Sequence, residues 1–249
     1  MLEVKNLSVR YGTKTILDDV SFSLRPHRLT VLVGRNGAGK STLFGCVGQQ
    51  VAYTGTITEG EKNLALVSPR ERAKSIAILP QSLPSPHITG RELVSLGRNP
   101  YLDFTGRLAQ QDKQAVENAL RDADALELAE RYVDTLSGGE KQRVLLAMIL
   151  AQNTPIALLD EPTAHLDLGY EAAFLEMLQK LKKERKKTFL LILHDLNLAA
   201  RYADDLIVLE VGRVAFAGSR EECLEREVLE KTFCLRRYTV EDRIFFSAK

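Results

Sequence analysis

Residues 2–9 and 18–24 alternate polar and apolar side chains. That period of two puts every second residue on one face of a half-buried strand, so the two segments are predicted to form an antiparallel pair. Five later runs differ: residues 29–33, 76–79, 156–159, 189–193 and 206–209 are short and almost continuously apolar. Such runs suit strands covered on both faces in a central, mostly parallel sheet. Between them lie segments with the helical period, notably residues 140–152 and 171–183. In the second of these, Phe174, Leu175, Leu178 and Leu181 share a face opposite the lysines. The basic cluster at 180–187 reads as the solvated end of that helix, where cations also suit the dipole. Pro84 and Pro86 break the pattern after Gln81, and residues 89–135 read as mainly helical, an insertion into an α/β core. From about residue 220 the chain is charged and helix-like as far as Phe233, and residues 238–246 read as a final strand or a packed terminus. The expected organisation is one domain over residues 1–249. Its core is about 1–83 and 136–225, its helical subdomain about 84–135 and its tail about 226–249.

Composition narrows the class. Hydrophobic content of 45% and charged content of 27% are those of an ordinary globular protein. A net charge of +1 gives no reason to expect nucleic acid. The longest apolar runs stop well short of the roughly twenty residues of a membrane helix. The start, MLEVKNLSVR, does not resemble a secretory signal. Cys46, Cys223 and Cys234 are odd in number and not spaced as metal ligands, which fits free thiols in a reducing cytosol.

Three short segments carry chemistry. Residues Gly34, Arg35, Asn36, Gly37, Ala38, Gly39, Lys40, Ser41 and Thr42 fit the phosphate-loop pattern G-x-x-x-x-G-K-[ST]. An apolar run precedes them and a helix-compatible run follows. The three glycines allow successive N–H groups to turn inward towards phosphate oxygens, and a helix starting near Lys40 adds its positive dipole end. Lys40 is then placed to reach β- and γ-phosphates, and the Ser41 hydroxyl to ligate Mg2+. The apolar run ending at Asp160 is followed by Glu161. Asp160 is placed to hold the Mg2+ shell and Glu161 to align and polarise a water. The third segment, LSGGE at 136–140, precedes a helical run. Ser137 brings a hydroxyl there, and Gly138 and Gly139 expose backbone N–H groups, making a second anion-binding site.

In their order along the chain, phosphate loop, LSGGE and acidic pair, the segments resemble the nucleotide-binding subunits of ATP-binding-cassette (ABC) transporters, over essentially the whole chain. The resemblance implies a P-loop NTPase of the α/β class. Its mixed, mostly parallel central sheet carries an N-terminal antiparallel β subdomain and a helical insertion subdomain. It implies ATP with Mg2+, hydrolysed with Glu161, His194, Gln81 and Lys40 as the catalytic set. Tyr11 falls where an aromatic ring stacks on adenine, Gln81 where a glutamine touches Mg2+ and the attacking water, and His194 where a switch histidine follows a strand. Nucleotide contacts are implied for the phosphate loop, for Ser137, Gly138, Gly139 and Glu140 of the signature segment, and for Asp167 of the D-loop. Glu140 replaces a more frequent glutamine with little expected consequence, and His165 stands where a small residue is usual. On the residues alone, Tyr11 is open between a packed strand-end tyrosine and a stacking platform. His194 is likewise open between a satisfied core histidine and a γ-phosphate contact.

The phrases LGRNPYL at 96–102 and HDLNLAARYAD at 194–204, with the short tail, resemble the ATPases of iron–siderophore, haem and vitamin B12 importers. The implied partners are a second copy in a head-to-tail ATP sandwich, integral membrane permease subunits and, indirectly, a substrate-binding protein, with no nucleic acid. The implied location is cytoplasmic, on the inner face of the membrane. A scaffold ATPase of iron–sulfur cluster assembly stays open as an alternative. A P-loop kinase is a third reading, against which the signature segment argues.

Overall fold

The computed structural model describes every residue except His165, Asp242 and Lys249, and every other side chain except those of Leu168, Val240 and Arg243. The chain divides into two compact units, Met1–Val67 with Thr188–Lys249, and Ser68–Lys187.

The first unit begins with β1 (Leu2–Tyr11) and β2 (Lys14–Leu24), paired antiparallel as the alternation predicts. Leu2, Val4, Leu7 and Val9 are buried, as are Leu17, Val20, Phe22 and Leu24. The register slips by one residue in β1 and then by one in β2. Asn6 (φ +49°) and Asp19 (φ +54°) lie at the two slips, and Asn6 Nδ2 donates to Asp19 Oδ1 at 2.8 Å. These first two bulges cancel and are built from residues that tolerate the left-handed region; a third slip, between Val9 and Arg10, adds one more residue in β2. Next come β3 (Leu29–Gly34), α1 (Lys40–Val47), β4 (Thr54–Glu59) and β5 (Lys62–Asn63). The antiparallel sheet has the order β2-β1-β4-β5.

The second unit holds α2 (Pro69–Ser75), β6 (Ile76–Leu79), α3 (Gly90–Ser95), α4 (Gln110–Asp122), α5 (Gly138–Ala151), β7 (Ile156–Asp160) and α6 (Leu168–Glu184). Strands β6 and β7 pair in parallel. Between α3 and α5 the described residues form helices, short 3-10 turns and loops. The phrase LGRNPYL makes the 3-10 turn Leu96–Tyr101. There Arg98 is buried against Asp112 of α4 at 2.9 Å, donates to Ala151 O at 2.7 Å and lies 3.9 Å from the Tyr101 ring centre. The motif is thus a packing joint between α4 and the end of α5.

The chain returns to the first unit with β8 (Thr188–Ile192), α7 (Leu196–Tyr202), β9 (Asp205–Glu210), β10 (Arg213–Ser219), α8 (Arg220–Glu225), α9 (Val228–Phe233), β11 (Leu235–Val240) and β12 (Arg243–Ala248). Here β3 lies between β8 and β9, parallel to both, and β10 runs antiparallel along β9. Residues 29–33 and all of β8 are buried, which is why those runs read as continuously apolar rather than alternating.

Two expectations change. The lysines at 180–187 are not all solvated: Lys182 and Lys187 are each 8% exposed. Lys182 lies one turn beyond Leu178, on the apolar face of α6. Lys187 donates to Thr154 O, and burial together with Arg185 pulls its amine down to about 8. The tail is not a single strand but the hairpin β11–β12. Its turn includes Glu241 at φ +48°, with neither glycine nor asparagine to announce it.

Candidate active site

The loop between β3 and α1 is shaped by steric exclusion. Gly39 has φ +100°, a conformation that strains any residue with a Cβ, and a Cβ there would also crowd Ile16 O at 3.2 Å. Gly34 differs from the sequence reading: its φ is not positive, and it is the approach of Leu209 O, 2.5 Å from an ideal Cβ, that demands glycine. Ala38 N donates to Arg35 O at 3.1 Å, closing the turn, and Gly212 N donates to Ala38 O at 3.1 Å, holding it to the β9–β10 connection. Lys40 opens α1 and is buried, with its ammonium donating to Gly34 O at 2.8 Å and Arg35 O at 3.3 Å. The cation therefore lies over the loop, where it can meet an anion. Arg35 and Asn36 are exposed, as is Ser41 on the first turn of α1; Thr42 is half-buried. Cys46 of the same helix is pushed up to about 12 by burial and is no nucleophile at neutral pH.

In the second unit, β7 delivers Asp160 and Glu161 at its C-terminal end. Gln81, just beyond β6, donates from Nε2 to Glu161 Oε2 at 2.6 Å. The parallel pairing of β6 and β7 brings these residues together, 80 positions apart. Glu161 has φ +49°, a conformation that costs a non-glycine residue on the order of 1 kcal/mol or more and that clusters at functional sites. The carboxylate is thus aimed by its backbone and accepts a hydrogen bond from the Gln81 amide.

The segment at 136–140 forms the predicted helix start. Ser137 is the N-cap of α5, accepting from Glu140 N, while Glu140 Oε2 accepts from Ser137 N and from the Ser137 hydroxyl, both at 2.8 Å. Arg131 adds an ion pair to Glu140 at 2.5 Å. Bonds from the Ser137 backbone, the Ser137 hydroxyl and Arg131 hold the Glu140 carboxyl down to about 2. Glu140 is thus the residue on which the bonds of this turn converge. Tyr170, which no sequence signal marks, packs its ring 3.1 Å from where a Gly139 Cβ would stand. Ser137 and Gly138 stay exposed.

The two ambiguous aromatic residues resolve on exposure. Tyr11 is 57% exposed at the end of β1, so it is no packed core tyrosine. His194, after β8, is exposed rather than a core histidine. Asp167 is the exposed N-cap of α6, and Glu171 N donates to its backbone carbonyl at 3.0 Å. The doubtful D-loop residue His165 lies outside the described residues.

A family model described as "ABC transporter" matches residues 17–164, from β2 through the acidic pair and into the turn after it. The chain belongs to the ABC transporter family. This ABC protein is 38% identical to the iron(3+)-hydroxamate import ATP-binding protein FhuC of Bacillus subtilis (strain 168), over 93% of its own length and 87% of that protein's. It is 40% identical to the hemin import ATP-binding protein HmuV of Rhodococcus jostii (strain RHA1), over 93% and 79% of the two chains. Its fold is similar to the dimeric structure of MJ0796, a bacterial ABC transporter cassette. The TM-score is 0.75 at 26% identity, covering 88% of this chain and 99% of the other. The fold is the ABC ATPase cassette, and the protein is an ATP-binding ABC ATPase.

For this ABC ATPase the Glu140 contacts give a pH-dependent signature turn. A carboxyl depressed from 4.5 to about 2 contributes stability that is fully present above the ordinary glutamate range and lost as pH falls through about 2. Thermal melts of wild type and Glu140→Gln should therefore differ at neutral pH and converge as pH falls from 4.5 towards 2. A gap that stays constant with pH would remove the charge of Glu140 from the account.

Proposed function

We propose that this ABC ATPase energises a membrane importer for iron chelates, haem or cobalamin, with iron–siderophore complexes the favoured class. What supports the reading is similarity over nearly the whole chain to import ATP-binding proteins, joined to a Glu161 carboxylate already held by Gln81. The same similarity weighs against an iron–sulfur scaffold.

The proposed division of labour follows from the side chains. Lys40 neutralises phosphate charge while the loop amides hold the phosphate oxygens. Glu161 orients the attacking water and takes its proton, and His194 contacts the γ-phosphate. Tyr11 offers its exposed face to adenine. Ser41, Asp160 and Gln81 fit Mg2+, since their hydroxyl, carboxylate and amide oxygens are the hard donors that ion prefers. Gln81 Nε2 is engaged with Glu161, which leaves Oε1 for the metal. Among the described residues no cluster of three or more His, Cys, Asp or Glu side chains could hold a metal. When bound, Mg2+ would draw charge off the β- and γ-phosphates.

The second half of the site is proposed to come from another copy. Ser137, Gly138 and Gly139 at the start of α5, with Asp167, would close on the nucleotide held by the partner copy's loop. ATP would then join the two copies and hydrolysis release them. None of the helices among the described residues is long and apolar enough to cross a membrane. The membrane part is thus assigned to permease subunits, with residues 84–135 as the docking arm and a substrate-binding protein acting from the far side. Purification from membranes under mild detergent should bring down a multi-span partner that stimulates ATP turnover. Charge reversals on the exposed face of 84–135 should uncouple transport while sparing basal ATPase. Recovery of cluster-assembly proteins instead of a permease would overturn the importer reading.

A further inference from the structure

Lys141 directly follows the signature glutamate, in the first turn of α5. It donates to Leu83 O at 3.1 Å and to Ser85 Oγ at 2.7 Å. Both acceptor residues precede prolines, Pro84 and Pro86, which disfavour the helical region for them and bias the segment towards extended backbone. Prolines also lack the N–H by which such a segment would fasten itself. The lysine supplies that fastening from outside.

The anchored segment begins close to the chemistry. Leu83 is two residues beyond Gln81, and two residues of chain span at most about 7 Å. Gln81 in turn donates to Glu161. Farther along, the same segment is laid against the residues leading into α5. The His87 ring stacks on Tyr132 at 4.2 Å and 5°, and His87 Nδ1 lies 2.9 Å from Asp134 Oδ2. Val133 N donates to Ile88 O and Gly90 N to Arg131 O, both at 2.9 Å. Arg131 is the residue that pairs with Glu140.

We infer that Lys141 is a positioning residue that ties the chain after Gln81 to the first turn of α5, so that the Gln81–Glu161 contact and the Ser137 cap move as one body. It touches no substrate. Its effect is that a displacement of Gln81 carries the signature turn with it, which couples hydrolysis at one nucleotide to the grip on the other. The inference rests on the roles proposed above for Gln81, Glu161 and Ser137.

The test uses the full chain with Lys141→Met, Lys141→Arg and Ser85→Ala, each also in a Glu161→Gln background. Lys141→Met should lower kcat about tenfold, the scale of one lost hydrogen bond to a charged group, with binding of a fluorescent ATP analogue to the monomer unchanged. In the Glu161→Gln background it should raise the ATP needed for dimerisation by about the same factor. Lys141→Arg should restore most of the turnover. Ser85→Ala, which removes one acceptor without touching α5, should show a smaller loss that does not add to that of Lys141→Met. Wild-type kcat in Lys141→Met, or a loss that follows the melting temperature and is not rescued by arginine, would overturn the inference. Normal hydrolysis by Glu161→Gln alone would instead remove the role of Glu161, and the kcat split of Lys141→Met would still decide the role of Lys141.

Discussion

Glu161→Gln should bind ATP as wild type does and hydrolyse it roughly two or more orders of magnitude more slowly, the scale of a positioned acid–base group. The amide keeps the shape of the side chain and can still meet Gln81, 2.6 Å away in the wild type. What it loses is the negative charge that orients a water and the basicity that accepts its proton. The phosphate loop is unaltered, so binding survives and the ATP-bound dimer accumulates. Size-exclusion chromatography with ATP and Mg2+ should show a dimer peak for Glu161→Gln and little for wild type. Adding Ser137→Arg should abolish that peak, because it places bulk and charge at the exposed start of α5. A Glu161→Gln protein that stays monomeric and turns over normally would sink both assignments.

Lys40→Ala should nearly abolish nucleotide binding, and turnover with it. The Lys40 side chain is buried and its ammonium is tethered over the loop by Gly34 O and Arg35 O. The charge is therefore pre-placed, and little side-chain entropy remains to be lost on binding. Removing one such charged donor costs about 1.5–3 kcal/mol, or roughly ten- to a hundredfold in affinity, before repulsion among unneutralised phosphates is counted. Titration with a fluorescent ATP analogue measures the loss. Wild-type affinity in Lys40→Ala would remove the loop from the site.

Much of this site was legible because its chemistry is local in sequence. Gly34 to Thr42 must be consecutive to make a loop, and Ser137 to Glu140 consecutive to make a cap. Residues 29–33, 76–79, 156–159 and 189–193 were readable for a related reason: strands covered on both faces are almost continuously apolar. What escaped is what depends on pairing between distant segments. The Gln81–Glu161 bond spans 80 residues, and only the adjacency of β6 and β7 makes it. The ring of Tyr170 on Gly139 and the pairing of Arg131 with Glu140 have no periodic signature. Lys187 reads as one more surface lysine because its acceptor, Thr154 O, is a backbone atom that no side-chain pattern reveals. The β11–β12 turn was missed since Glu241 takes a left-handed conformation that glycine or asparagine usually signals.

The joint made by Arg98 and Asp112 bears on how such a sequence can change over generations. Both side chains are almost fully buried. Replacing either one alone strands a charge in the interior at a cost of about 3–5 kcal/mol, whereas exchanging both for a well-packed apolar pair can be nearly neutral. A lineage altering this joint by single substitutions must therefore cross a destabilised intermediate, and selection for folding alone opposes the loss of Arg98. An arginine held in this way can outlast a change of cargo and is a poor guide to it.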